Sequence, residues 1–112
     1  MKNFTTNVGI KTPKLIYGTA WKKERTANLV ELALRTGFRG IDTGCQPKHY
    51  NEPGVGTGIE QSGILRGELF LQTKFTAIGG QDLSTIPYNP SSPLEDQVRQ
   101  SFEVSLKNLK TD

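Results

Sequence analysis

Cysteine is all but missing from the chain: Cys45 stands alone, so no internal disulfide can form and a reducing, cytoplasmic compartment is expected. Histidine is as scarce, with His49 the single example, and no His/Cys cluster has the spacing of zinc ligands, so no metal is expected. No run of Lys or Arg exceeds the pair Lys22-Lys23, and a formal net charge of +3 is mild. The basic stripe that nucleic acid requires is therefore absent. The start, Met1-Lys2-Asn3-Phe4, has no apolar stretch of the roughly 7–15 residues of a signal peptide, and nothing approaches the ~20 apolar residues of a membrane span. Neither export nor a membrane is expected, and the sequon Asn3-Phe4-Thr5 is read as chance.

What the chain does have is enough apolar material for a modest core. Leu, Ile, Val and Phe make up a quarter of its 112 residues, above the level at which charged chains stay disordered, so residues 1–112 are expected to form one globular domain. Strand-like and helix-like segments alternate. Leu15 to Ala20, entered through Pro13, is a short apolar run suited to a buried strand. Thr26 is placed to cap a helix carrying Leu29, Val30, Leu32, Ala33 and Leu34, with Gly37 where a left-handed C-cap is wanted. Phe38 to Asp42 reads as a second strand.

A helix from Asn51 to Ser62 is weak by propensity, because Gly54, Gly56 and Gly58 together cost about 3 kcal/mol against Ala, and packing has to hold it. Arg66-Gly67 marks a turn, and Leu69 to Lys74 is the best strand pattern in the chain. A last helix opens at Ser92-Pro93-Leu94-Glu95, which has the form of a capping box, and continues with Leu94, Val98, Phe102 and Leu106 as an apolar stripe. This order predicts an α/β fold of parallel strands joined by right-handed helical crossovers. The connection from Phe75 to Ser91 is long, as functional lids are.

In such folds reactive groups gather at the carboxyl ends of the strands. Asp42 ends the second strand and Lys74 the third, so the two are expected side by side, either as a plain interstrand ion pair or as part of a reactive site. Tyr50, in the loop Gly44-Cys45-Gln46-Pro47-Lys48-His49-Tyr50-Asn51-Glu52, tilts the reading toward the second. A phenol is a poor proton donor at neutral pH, but an ammonium within about 4–6 Å stabilises its conjugate base. Asp42, Lys74 and Tyr50 thus compose a candidate general-acid set, in which Asp42 orients Lys74 and keeps it charged.

The segments Gly37-Phe38-Arg39-Gly40-Ile41-Asp42-Thr43-Gly44, Tyr50-Asn51-Glu52 with Val55-Gly56, and Leu71-Gln72-Thr73-Lys74-Phe75 resemble the N-terminal signatures of the aldo-keto reductases. Leu15 to Trp21 is similar to that family's first barrel strand and Val98 to Asp112 to the helix before its fourth, while the Gln46-Pro47-Lys48-His49-Tyr50 loop is similar to a fungal-type subgroup. The resemblance implies about three βα units of a (β/α)8 TIM barrel, ending before the fourth strand. It also implies an oxidoreductase in which NADP carries hydride to or from a small aldehyde or ketone and Tyr50 gives the proton, assisted by Lys74 and Asp42. In many members the tyrosine lies five residues after the aspartate, a place held here by Pro47. The family's catalytic histidine and most of its cofactor-binding segments belong to later strands with no counterpart here.

The remaining candidates are weaker. Trp21, just past the first strand, either lines a carbonyl substrate pocket or packs under the neighbouring loop. His49 reads as a solvated loop residue, Cys45 as a small buried thiol and Tyr88 as a surface anchor. Gly54-Val55-Gly56-Thr57-Gly58 superficially resembles a dinucleotide glycine pattern but follows no strand, and it is assigned to helix packing. The competing functional reading is a non-catalytic partial domain acting at most as an interaction module, which self-associates through exposed sheet edges.

Overall fold

The chain enters through an antiparallel hairpin that the sequence pattern did not announce, in the computed structural model, which describes residues 2–112. Strand β1 (Asn3–Thr5) pairs with β2 (Lys11–Pro13). Between them Gly9 takes φ 84°, and its N–H reaches the Thr6 carbonyl at 3.0 Å. Each strand is three residues long with no apolar alternation, so periodicity had nothing to detect. The hairpin lies against the amino-terminal edge of the main sheet, where Pro13 and Ile16 close over Gly40. A Cβ at Gly40 would meet Ile16 Cγ1 at 3.0 Å and Pro13 Cγ at 3.4 Å, so only glycine fits there without displacement.

The main sheet has three parallel strands in the order β3 (Ile16–Gly18), β4 (Gly40–Asp42) and β5 (Phe70–Gln72). Each is shorter than its sequence pattern, and the register sets Gly18 beside Asp42 and Asp42 beside Gln72. Helix α1 (Thr26–Thr36) crosses from β3 to β4 and α2 (Glu52–Ser62) from β4 to β5. Helix α3 (Leu94–Leu109) follows β5. The α/β class and the partial parallel barrel are as expected, with an open sheet. Among the described residues no helix is long and apolar enough to cross a membrane.

One face of the sheet is covered by the helices. Ile41 on β4 is fully buried among Val30 and Leu34 of α1, Val55 and Ile59 of α2, Leu69 and Leu109. Side chains alternate along a strand, so Asp42 and Gln72, one residue on from Ile41 and Leu71, project from the opposite, uncovered face. The glycines of α2 are explained by helix packing, as the sequence required. A Cβ on Gly56 would lie 2.2 Å from the Asn108 carbonyl oxygen of α3, and one on Gly58 would lie 2.5 Å from the Ala27 carbonyl oxygen of α1.

Three local expectations are corrected. Thr26 does not cap α1: it is the helix's first residue, fully buried, and its hydroxyl donates 2.7 Å back to the Lys23 carbonyl. The capping box at Ser92 does not form either. The residue preceding α3 is Pro93, without a side-chain cap, and Ser92 Oγ instead accepts from Gln100 Nε2 at 3.3 Å. The stripe of α3 does not face the core. Leu94, Val98 and Phe102 are exposed, while Ser101, Ser105 and Leu109 are buried. The helix lies against α2 and the segment just past β5, where small hydroxyl side chains fit and Ser105 meets Thr73.

Candidate functional site

Residues 42–52 leave β4, turn, and re-enter as α2, and backbone pairing continues past the strand ends to hold this path. Thr43 N–H donates to the Gln72 carbonyl at 2.8 Å, and Cys45 N–H donates to the Lys74 carbonyl at 3.0 Å. Lys74 therefore lies two residues beyond β5 rather than inside it, yet it stays in register. With a period of two, Gln72 and Lys74 project to one side, the side of Asp42. The Lys74 ammonium meets both carboxylate oxygens of Asp42 at 2.7 Å, and Gln72 Nε2 donates to Oδ1 at 2.8 Å. The side chains are partly open, Lys74 at 43% and Asp42 at 22%.

Tyr50 is brought to this pair by a compact turn in which the N–H groups of His49 and Tyr50 both reach the Gln46 carbonyl at 2.9 Å. The half-buried ring lies under the Lys74 ammonium, with Nζ 5.1 Å from the ring centroid, so the cation faces the negative face of the phenol's π system. Its other edge packs on Gly44, where a Cβ would sit 3.0 Å from Tyr50 Cε2. Asp42, Lys74 and Tyr50 are thus gathered at one strand end, Lys74 touching both others.

The Tyr50 loop is pinned to the segment after β3. Tyr50 and Ala20 form an antiparallel bridge, and Trp21 N–H donates to the His49 carbonyl at 2.8 Å. Trp21 has φ 63°, a left-handed conformation that costs a non-glycine residue about 1–2 kcal/mol and that this bond helps hold. Trp21 is 65% exposed, and its ring lies against that of His49, with centroids 4.1 Å apart and planes tilted by 36°. His49 is accordingly not a solvated loop residue. It is half-buried, with Nδ1 3.1 Å from Gln46 Oε1. Trp21, His49, Tyr50 and Pro87 of the long loop border a cleft of about 570 Å³, which neither Asp42 nor Lys74 lines. Of Asp42, Tyr50 and Lys74, Tyr50 is the one that lines the cleft.

The long loop is ordered by buried polar contacts. Gln81, nearly buried, donates to the carbonyls of Cys45 at 3.0 Å and Thr76 at 3.2 Å, and Gln46 Nε2 donates to the Gly80 carbonyl at 2.6 Å. Tyr88 is a buried strut and not a surface anchor. Its hydroxyl donates to the Thr76 carbonyl at 2.8 Å and its ring lies 5.3 Å from that of Phe75. Burial pushes its phenol above the ordinary range, with a further contribution from Cys45. Cys45 is the buried thiol expected. Burial raises it most and the Glu52 carboxylate adds to this, against the lowering influence of the Ser101 and Ser105 hydroxyls.

Two residues of this neighbourhood escaped the sequence reading. Gln72 was legible in principle, since it stands two positions before Lys74 and so on the same face. Glu52 carries no such signal: a carboxylate opening a helix reads as solvated, yet it is buried against Thr73 and Asn108.

No family model matches the chain. An uncharacterized oxidoreductase of Schizosaccharomyces pombe is 34% identical over 98% of the chain and 30% of its own length. The glyoxal reductase of Bacillus subtilis is 49% identical over 74% of the chain and 25% of its own length. Among solved structures, the Bombyx mori aldo-keto reductase in complex with NADP superposes with a TM-score of 0.76 at 26% identity, over 99% of the chain and 35% of that protein. The chain belongs to the aldo-keto reductase family, as its N-terminal portion. It spans between a quarter and about a third of the length of these relatives.

Proposed function

We propose that these residues form the proton-donating part of an NADP-dependent oxidoreductase that reduces small aldehydes or ketones to alcohols. Tyr50 is the general acid: its hydroxyl gives a proton to the carbonyl oxygen as that oxygen gains negative charge. Lys74 stabilises the charge left on the phenol, and Asp42, through its two 2.7 Å contacts, fixes Lys74 in place and compensates its charge. Trp21 supplies an apolar wall for the substrate beside Tyr50. The observation that carries the reading is that Tyr50 joins the charged pair to the cleft.

NADP as the hydride carrier rests on the family and on the Bombyx mori complex. The glycine pattern of α2 does not fit the phosphates of a dinucleotide. The space at Gly56 and Gly58 is filled by backbone of α3 and α1, and that at Gly54 by the Asn51 and Thr26 side chains. Only the proton's path is therefore assigned to this chain.

The test replaces the matching segment of Bacillus subtilis glyoxal reductase with this chain and follows NADPH consumption with glyoxal and a panel of small aldehydes and ketones. Turnover is expected, and Tyr50→Phe should lower it by about 10²- to 10⁴-fold, the usual worth of a positioned acid. A Phe variant that keeps its rate refutes the role of Tyr50, and a folded chimera with no turnover refutes the reading as a whole.

A further inference from the structure

Behind the Asp42–Lys74 pair, on the helix side of the sheet, lies a buried polar cluster that the proposed proton path does not use. Glu52 is 2% exposed, and among the described residues no cation pairs with it. Its Oε2 accepts from the Thr73 hydroxyl at 2.7 Å and its Oε1 from Asn108 Nδ2 at 3.3 Å. Thr73 Oγ1 in turn lies 3.3 Å from Ser105 Oγ. A buried carboxylate needs its hydrogen bonds, so this cluster holds its members in fixed positions.

The positions in the chain give the cluster its meaning. Glu52 follows Tyr50 by two residues, and Thr73 immediately precedes Lys74. Thr73 turns toward the helices while Lys74 turns toward the open face, so a bond to Thr73 fixes the backbone that carries Lys74. The loop is tied to this segment at both ends: Cys45 N–H bonds the Lys74 carbonyl where the loop begins, and Glu52 bonds Thr73 where it closes. Tyr50 sits just inside the second tie, with its ring 5.1 Å from the ammonium.

We propose that Glu52 is a positioning residue, which holds the Tyr50 ring beneath the Lys74 ammonium through its hydrogen bond to Thr73. The catalytic meaning of that juxtaposition rests on the proposed function, whereas the clamp itself is a statement about geometry and can be tested without turnover. Glu52 borders the cleft, and its carboxylate bonds Thr73 and Asn108, not Asp42, Tyr50 or Lys74. Its effect is to make the separation of Tyr50 and Lys74 a property of the fold instead of a property of a free loop.

The experiment is solution NMR on the 112-residue chain, reading two signals of the Lys74 side chain. These are the upfield ring-current shift of its Hε protons over the Tyr50 face and the nuclear Overhauser effect between Hε and the Tyr50 ring. Tyr50→Leu defines the value without the ring. Glu52→Leu and Thr73→Val, each of similar volume without the bond, should lose the Overhauser effect and return Hε to the Tyr50→Leu position. Glu52→Gln and Thr73→Ser, which keep an acceptor and a donor, should retain both signals, a rescue that a merely space-filling role does not predict. If Glu52→Leu does not fold, the near-isosteric Thr73→Val decides by the same signals. Folded variants lacking the bond but keeping the wild-type shift and Overhauser effect overturn the proposal. The rate of the Tyr50→Phe chimera reports separately on the acid, so either idea can fail while the other stands.

Discussion

Gly56 offers the sharpest conflict between local preference and packing. In the middle of α2, Gly→Ala gains about 1 kcal/mol of helix propensity, so the isolated helix would be improved by Gly56→Ala. In the fold, the added Cβ would sit 2.2 Å from the Asn108 carbonyl oxygen and 3.2 Å from Leu109 Cα. Both atoms are backbone of α3 and cannot rotate away, so the helices must separate. Overpacking of this kind costs about 1–3 kcal/mol, and a backbone clash falls at the upper end. Offsetting the propensity gain leaves a net loss of about 1–2 kcal/mol, which in a domain of about 100 residues lowers the melting midpoint by roughly 4–16 °C. Thermal and urea unfolding followed by far-ultraviolet circular dichroism measure this. Gly67→Ala serves as the control, since nothing lies within 4 Å of its added Cβ, and its change should stay within about 0.5 kcal/mol. A Gly56→Ala midpoint equal to or above wild type would show that α2 and α3 are not held at this distance, and the placement of Asn108 against Glu52 would fall with it.

Alkaline pH should weaken the fold from two buried groups. Burial raises the Cys45 thiol above 9.0 and the Tyr88 phenol above 10.0. In both cases the folded state keeps a proton that the unfolded chain has released, so their stabilisation is complete below pH 9 and falls as pH rises beyond it. Cys45→Ala should flatten the first part of that decline in urea midpoints collected across the alkaline range, and an unchanged slope would refute the assignment. On α3, Phe102→Lys and Val98→Lys replace exposed side chains, at 55% and 42%, and should change the unfolding free energy in urea by no more than about 0.5 kcal/mol. A loss of about 3–5 kcal/mol on Phe102→Lys would mean that the residue is core.

The order of strands and helices was legible because each crossover carries its own apolar periodicity. The pattern Val30, Ala33, Leu34 does face the sheet, and Gly37 ends α1 at φ 121° with its N–H on the Ala33 and Leu34 carbonyls. Periodicity misled where the covering layer is not hydrophobic. The stripe of α3 has the right spacing for a core, but the surface it approaches already holds Cys45, Thr73 and the Glu52 carboxylate, and burying Ser101 and Ser105 satisfies them better than Val98 and Phe102 could. The capping sequence failed for a related reason: Ser92 Oγ accepts from Gln100 Nε2 and the Ser92 carbonyl from Gln97 Nε2, so the hydroxyl is turned to Gln100 and not to the helix start. An apolar spacing shows that a face exists, and only the chemistry of the opposite surface shows whether that face is used.

At the candidate site the sequence named the residues and missed what joins them. Asp42 and Lys74 follow from strand register alone, since both lie on one face at the carboxyl end. Tyr50 does not follow, because seven residues of loop separate it from Asp42 and an extended path of that length would carry it well away from the strand. The turn at Gln46, with His49 and Tyr50 both bonded to its carbonyl, folds the added length back on itself, and the Ala20 bridge returns Tyr50 to the sheet. Gly44 then becomes a steric requirement. Tyr50 packs its ring 3.0–3.4 Å from where a Cβ would stand, so a side chain there would push the phenol off the ammonium. The endpoint of the loop is thus set by the backbone bridge to Ala20, past β3, on one side and by Glu52 on Thr73 on the other.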